Sequence, residues 1–565
     1  MTEQDASNST PESKEVSVDG KDRTTKESPP QFKRGPRFWM ILFVLALVSL
    51  LTSLETTVTS TILPSIVADL NGGENYVWVA NATFLTMTAL LPVFGQLANV
   101  FGRKWPLVFS VAAFMVGSGL CGGASNIAMM IGGRAVQGIG ASGIGVLCEI
   151  IICDLVPLRE RGTYMGIVFG MVALGAALGP FFGGLLVSYS TWRWSFYMAL
   201  LIGGVALVLI VAFLNVKYNR SQTLATKLSS LDWLGNVLFI GGVIPVLIAL
   251  SWAGSLHPWS SYQVLVPLII GLAALGAFLW IESNPRLVTN PMIPTYLFQH
   301  SITLIIFMLT FLHGIITLWA TYFLPVYFQG VLGKSAYHSG IMLLPTILAL
   351  LPAAGMGGVM LTKFGRYKPI LMVAFALIAV GFGLFSMLDE NSSTGAWVGF
   401  QVVESFGAGF GMAAMLPALL APLTDKDTAV ATSVWAFFRS FGVMWGVAIG
   451  GAVYTNRSAQ LASAGAISSN ATVAAHFIAG GAYASAEPHF LNSLSELTRA
   501  EVIAVQNSAL QRSWQVAIGF GALGLIAAAL MKEIPLRKEN NTEFGMVEKE
   551  DKPTEEEAKT ITKRS

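Results

Sequence analysis

Gly175-Ala-Ala-Leu-Gly-Pro-Phe-Phe-Gly-Gly184 is the stretch on which the reading of the fold turns. It lies inside an apolar run from Thr163 to Val187, long enough as a helix to cross the ~30 Å hydrocarbon core of a bilayer. Gly175, Gly179 and Gly183 recur every fourth residue, so they share one helix face and leave a strip without side chains against which another backbone can lie. Pro180 interrupts the strip. It lacks the N–H that would reach the carbonyl of Ala176, and its ring predicts a bend. In water such a segment is a poor helix, whereas in lipid its backbone groups have no partners but each other.

The whole chain has the same character. Of 565 residues, 54% are hydrophobic and 12% charged, about half the charged share of a soluble domain. The expectation is an all-α polytopic membrane protein in a lipid bilayer. A net charge of +2 gives no reason to expect a nucleic-acid partner. Cys121, Cys148 and Cys153 sit in or beside apolar runs, which argues against a disulfide framework. No G-x-x-x-x-G-K-[ST] phosphate loop and no His/Cys cluster with metal spacing occurs, so neither an enzyme, a nucleotide-driven pump nor a cofactor is expected.

Residues 1–37 are rich in Ser, Thr, Glu, Lys and Pro and read as a disordered tail; no apolar h-region makes them a signal peptide. Fourteen apolar stretches of about 20 residues follow, near 38–64, 77–98, 106–125, 127–152, 163–187, 194–214, 233–253, 262–281, 302–328, 339–362, 369–388, 396–420, 429–454 and 513–531. An even number returns both termini to one side. That side carries Arg37, Arg103, Lys104, Arg159, Arg161, Lys363, Arg366, Lys368 and Arg537, against Arg193 and Lys334 in the short loops opposite, so the basic face is expected to be cytoplasmic. The domain expectation is a six-helix bundle at 38–214, a linker with two extra spans at 215–301, a second six-helix bundle at 302–531 with an outer loop at 455–512, and a disordered tail at 532–565.

An internal repeat supports two halves. Gly95-Gln-Leu-Ala-Asn-Val-Phe-Gly-Arg-Lys104, between spans two and three, returns as Gly358-Val-Met-Leu-Thr-Lys-Phe-Gly-Arg366, between spans ten and eleven. Gly102 permits a tight turn while Arg103 and Lys104 stay beside anionic lipid. The first copy resembles the G-x-L-x-D-x-x-G-R-K signature of the major facilitator superfamily, with Asn99 in place of the Asp. Arg134-Ala-Val-Gln-Gly-Ile-Gly-Ala141 is similar to that superfamily's fourth-span signature, Leu54-Glu-Thr-Thr-Val-Thr-Ser-Thr-Ile-Leu-Pro64 to the first-span one with Glu for Asp, and Gly175–Gly184 to the antiporter signature of the fifth span. The chain thus resembles the fungal fourteen-span drug:proton antiporters over residues 38–531. The resemblance implies the major facilitator fold, two six-helix bundles plus two extra central helices.

The chemistry is expected in charges that the bilayer would otherwise expel. Within the spans these are Glu55, Arg134, Glu149, Glu404 and Arg439, each costing roughly 2.5–3.5 kcal/mol or more at mid-bilayer if it faces lipid. Thr52, Glu55, Thr56 and Thr59 form a polar stripe on the first span, and Arg134, Gln137, Gly138, Ala141 and Gly145 another on the fourth. Glu55 and Arg134 are expected to meet across a cavity, with Glu55 taking and releasing a proton; a permanent ion pair is the alternative. Glu404, with Gln401 and Ser405, is a second proton or cation site or else structural. Glu149 and Asp154 beside Arg159 and Arg161 read as a cytoplasmic gate or a helix-end salt bridge; Arg439, on a face with Trp435, Gly442 and Gly446, reads as helix packing, with binding of an anion or a carbonyl as the alternative; and His313 reads as a satisfied interior histidine, with a proton relay as the alternative.

Trp192, Trp194, Phe196 and Tyr197 are expected to form an interfacial belt. Trp319, Tyr322, Phe323, Tyr327 and Phe328 on the ninth span are expected to pack helices, with ligand stacking as the alternative. Asn391 and Asn470 head glycosylation tripeptides on the outer side. Leu491 to Ile503 is expected to form a short amphipathic helix at the outer mouth. The function expected from these features is proton-coupled export of a small hydrophobic organic substrate, drug, toxin or secondary metabolite, by a monomer in the plasma membrane or the vacuolar membrane. The alternatives are proton-coupled uptake of an organic ligand such as a siderophore, and a membrane sensor that transports nothing.

Overall fold

The computed structural model describes residues 35–70, 76–214, 223–253, 257–284, 286–288, 290–483, 485–486 and 488–537. Most of both expected tails, and residues 215–222 of the linker, fall outside these residues. Fourteen helices among the described residues are long and apolar enough to cross a membrane. In chain order they are α1 Pro36–Asp69, α2 Tyr76–Phe101, α3 Lys104–Gly122, α4 Ile127–Leu155, α5 Arg161–Tyr189, α6 Arg193–Phe213, α7 Trp233–Trp252, α8 Tyr262–Glu282, α9 Ser301–Val326, α10 Leu344–Phe364, α11 Lys368–Phe385, α12 Thr394–Leu420, α13 Thr428–Ser463 and α14 Glu496–Leu530. No strand forms among the described residues beyond one isolated bridge, Ala253 to His257.

Packing divides the helices as the repeat predicts. α1 lies on α5 and α6, while α3 lies on α4 and α6, and α4 on α2. The same partnerships recur in the second half: α9 on α13 and α14, α11 on α12 and α14, α12 on α10. Gly102 and Gly365, the matching glycines of the repeated loop, both take the left-handed backbone conformation, with φ of 79° and 67°, which a residue with a Cβ rarely adopts. The extra pair sits at the side of this arrangement. α7 touches α2 and α13, whereas α8 packs chiefly on α7 and turns Val266, Ile269, Ile270 and Trp280 outward, the surface a membrane would cover.

The halves meet through glycines. A Cβ on Gly95 of α2 would strike Ser433 and the carbonyl of Ala429 on α13, and one on Gly358 of α10 would strike the backbone of Gly162 and Thr163 on α5. The first glycine of each repeat is therefore a crossing point between halves, close to the basic face.

The outer segment differs from expectation. α13 continues to Ser463 and α14 already begins at Glu496, so both ends of the expected 455–512 loop are helical extensions of spans. Only Ala471–Ile478 and Pro488–Asn492 are separate short helices. Leu491, in the short helix Pro488–Asn492, and Val502, in the extension of α14, are both fully buried. Leu491 and Ile503 thus fall in two different helices and do not form the one amphipathic helix expected.

Candidate functional site

α1, α3 and α4 build one buried polar cluster around Glu55. Ser118 Oγ on α3 donates to Glu55 Oε2 at 3.0 Å, and Gln137 Nε2 on α4 donates to Glu55 Oε1 and to Ser118 Oγ at 2.8 Å. The amide oxygen of Gln137 accepts from Arg134 Nη1 at 2.7 Å. Arg134 and Glu55 approach to 3.9 Å, and Arg134 Nε donates to the carbonyl of Val79 on α2 at 3.0 Å. All four side chains are almost wholly buried. Buried charges need this degree of pairing, since an unpartnered one would be expelled or neutralised.

The expected meeting of Glu55 with Arg134 therefore occurs, but inside the first bundle and with Gln137 as intermediary. Gly117 on α3 makes it possible: a Cβ there would collide with the backbone and side chain of Gln137. Toward the outer face an apolar cluster that includes Leu54, Val58, Ile62, Ile66, Val79, Met130 and Phe196 covers the carboxylate. The neighbouring threonines do not extend the network, because Thr56 and Thr59 donate to carbonyls four residues back, those of Thr52 and Glu55. Ser118 and the Val79 carbonyl were not foreseen; Ser118 sits on an otherwise small and apolar helix face that carried no signal.

The glycine strip of α5 lies on α1. A Cβ on Gly175 would meet the carbonyl of Leu50, one on Gly179 would meet Thr57, and one on Gly183 would meet Thr61. Gly184 faces open space and is no part of the seam. The bend expected at Pro180 falls on a side chain outside the described residues. A second strip runs along α13, where Gly442 and Gly446 were expected to share a packing face with Arg439: Gly442, Gly446 and Gly450 abut Phe311, Ile315, and Trp319 with Phe323, all on α9. The four-residue spacing extends to Gly450, and the contact identifies α9 as its partner.

Glu404 on α12 is buried and accepts only a long bond, 3.4 Å, from Ser405. Gln401 receives Thr346 Oγ1 at 2.8 Å. No cation is placed beside Glu404 among the described contacts. His313 is satisfied, with Nε2 3.0 Å from the carbonyl of Ala408 and Nδ1 3.2 Å from Thr317 Oγ1.

Near the basic face the partners differ in part from those expected. Glu149 pairs with Arg439 on α13 at 2.6 Å, joining the halves, and does not meet Arg159 or Arg161. Arg439 thus holds an anionic side chain, the alternative to the helix packing first expected. Asp154 pairs with Arg103 at 2.7 Å, both side chains fully buried, so α4 supplies the acid that Asn99 lacks; Asn99 itself lies 3.5 Å from Arg103 Nη1. Arg161 donates to the carbonyl of Val156 at 2.9 Å. Arg159 reaches across the halves to the carbonyls of Thr362 and Lys363 at 2.5 and 2.7 Å, where the free carbonyls at the C-terminus of α10 attract a cation. Lys104 makes the corresponding contact within the first half, to the carbonyl of Val211 near the end of α6 at 2.8 Å.

Most of the expected aromatic belt is packing. Trp192 and Phe196 are buried, Trp192 Nε1 donates to Asp69 at 3.1 Å, and the half-buried Tyr197 donates its hydroxyl to the carbonyl of Gly122 at 3.0 Å; Trp194 alone of the four is well exposed. On the ninth span Trp319, Phe323, Tyr327 and Phe328 are buried among Tyr454, Trp514 and Trp397, which fits helix packing.

The family model described as Major Facilitator Superfamily matches residues 45–447. The chain is 52% identical over 540 residues to the MFS-type transporter pydD of Acremonium sp, covering 94% of each protein. It is 44% identical over 536 residues to the efflux pump FUS6 of Gibberella moniliformis (strain M3125 / FGSC 7600), again covering 94% of each. Among solved structures it resembles the proton:xylose symporter XylE, with a TM-score of 0.55 at 14% identity, over 88% of this chain and 97% of that one; at that identity the likeness concerns the fold.

Proposed function

The chain belongs to the major facilitator superfamily, and from that premise we propose that it is a proton-coupled antiporter that exports a small hydrophobic organic compound by alternating access. The observation that carries the reading is Glu55, a carboxylate buried in a bundle and tied to Arg134 through the reorientable amide of Gln137. A carboxylate holds a proton more firmly when desolvated and less firmly beside a cation. A motion that lengthens or shortens the Gln137 link changes how strongly Glu55 feels Arg134, and so whether the acid keeps its proton. Ser118 accepts or donates in either state.

Alternating access is supported by where the halves touch. The glycine crossings at Gly95 and Gly358, the Arg159 bonds to α10 and the Glu149–Arg439 pair all lie toward the basic face. In our reading this is the member of the cycle closed on the cytoplasmic side, and residues 38–214 and 302–531 are the bodies that rock. Glu404 is a second, subordinate proton site. Asn391 and Asn470 are proposed glycan acceptors on the outer face, with the protein a monomer in the plasma membrane.

Export is favoured over uptake by the fifth-span strip and by relatives that include an efflux pump. The test is counterflow in sealed liposomes under an imposed pH gradient. Solute accumulation driven by inward proton flow against the direction of solute movement supports export, movement with the protons supports uptake, and no solute movement with any compound offered ends the transporter reading.

A further inference from the structure

The ion pair between Glu149 and Arg439 is half used. Arg439 Nη2 holds Glu149 Oε1 at 2.6 Å, but Glu149 Oε2 and Arg439 Nη1 are both buried without a hydrogen-bond partner. A guanidinium and a carboxylate built for each other engage in parallel, two bonds at once. Here one arm of each is idle. The guanidinium also lies over two rings, 4.4 Å from the centre of Trp435 and 5.3 Å from that of Phe169, which come from α13 and α5. Trp435 Nε1 is a third buried polar atom with no partner. The arginine side chain keeps 23% of its surface exposed and the glutamate 3%, so the cation is the accessible member of the pair.

Three idle polar atoms at one ring-flanked ion pair exceed what helix packing requires, since every buried polar group left unpaired has lost its water without a replacement. We propose that Arg439, whose guanidinium lies against the buried rings of Trp435 and Phe169, is the receptor for a carboxylate group of the transported compound, and that Glu149 occupies the receptor when no cargo is bound. The cargo carboxylate takes both arms of the guanidinium, Trp435 Nε1 supplies a further donor, and Glu149 is released. Because Glu149 belongs to α4 and Arg439 to α13, cargo binding removes one tie between the halves. This assignment of cargo class rests on the transporter reading above.

The test is equilibrium binding of 1-pyrenebutyrate and its methyl ester to the full chain in nanodiscs of neutral lipid, read by energy transfer from tryptophan and corrected with empty nanodiscs. The acid is expected to bind at least about tenfold tighter than the ester, a difference of ~1.4 kcal/mol. Arg439→Gln removes that preference while keeping the ester affinity. Glu149→Gln, which removes the internal competitor, tightens the acid about tenfold and leaves the ester unchanged. Equal binding of acid and ester by the unaltered chain, or an acid preference that survives Arg439→Gln, overturns the proposal. Should Arg439→Gln fail to assemble, Glu149→Gln decides alone: acid affinity unchanged or weakened overturns it. Counterflow by the same purified chain in sealed liposomes separates the two readings, because transport without acid preference defeats only the receptor, while absence of transport defeats the function.

Discussion

Gln137 and Glu404 occupy the same place in the two halves. Each sits beneath a glycine of the preceding helix, Gly117 for Gln137 and Gly381 for Glu404, whose missing side chain is the space they fill. The register holds along both helix pairs: Gly140 would meet the Ser110 carbonyl and the Phe114 amide, Gly407 the Ala374 carbonyl and the Ile378 amide. Arg134-Ala-Val-Gln-Gly-Ile-Gly-Ala141 thus lies over Gln401-Val-Val-Glu-Ser-Phe-Gly-Ala408. The second half has an acid at the relay position and Gln401 at the arginine position, so its carboxylate has no cation to switch it.

Glu404→Gln therefore restores the residue type of the first half, in a space already shaped for it. Proton-driven transport is expected to stay within about twofold of the unaltered chain, a change of ~0.4 kcal/mol. Rates of solute movement under a pH gradient in liposomes check this, and complete loss would move the main proton site to the second half.

Glu55→Gln is expected to behave oppositely. It keeps the shape and the hydrogen bonds to Ser118 and Gln137 but removes the titratable group, so pH-driven accumulation falls to the level of leak while exchange of solute across the membrane without a gradient persists. Retained accumulation under a pH gradient removes Glu55 from coupling.

The Arg103–Asp154 pair is buried to about 1% exposure on each side, and removing one partner of such a pair costs about 3–5 kcal/mol. Arg103→Ala should lower the thermal midpoint of the purified protein far more than Lys104→Ala, although the two are neighbours in one basic motif. Equal shifts would show that the motif works by charge alone.

The number of spans, the two-fold repeat and the meeting of Glu55 with Arg134 were legible in the sequence because each rests on a periodic or costly feature: apolar length, glycine spacing, charge in lipid. The Arg439 partner of Glu149, the Arg103 partner of Asp154 and the α10 carbonyls that Arg159 reaches were not, since these side chains reach across helices distant in sequence. The tryptophans next to Arg193 looked interfacial because composition places aromatics at a boundary without saying which are covered. The α13 strip was visible as a spacing, but only its contact with α9 reveals it as the partner of the α5 strip.

That pairing yields a graded prediction for the strips. Gly179→Leu and Gly446→Leu push α5 from α1 and α13 from α9, where Thr57 and the Ile315 carbonyl leave no room, and overpacking of this kind costs about 1–3 kcal/mol. Gly184→Leu meets nothing nearby and should be nearly neutral. Thermal midpoints of the three variants in one detergent give the order; a Gly184 variant as unstable as the other two would show that lipid or chain propensity, not the seam, sets the cost.

Arg159 offers a test of closure at the basic face. Its two bonds to the last carbonyls of α10 are charge-assisted, but the group is partly exposed, so a net contribution of ~1 kcal/mol is reasonable, equivalent to about a fivefold change in an equilibrium between two arrangements. Arg159→Ala leaves the Gly162–Gly358 crossing intact and should therefore shift the population toward opening on that side without unfolding the bundle. Spin labels at Trp105 and Phe364, both well exposed near this face on opposite halves, report it as a longer-distance component that grows in the variant. Because Arg159 holds α10 by its backbone, replacing Thr362 with Val should not reproduce the effect; if it does, the hydroxyl bond of Thr362 to the Arg159 carbonyl, and not the guanidinium, is what ties the two halves there.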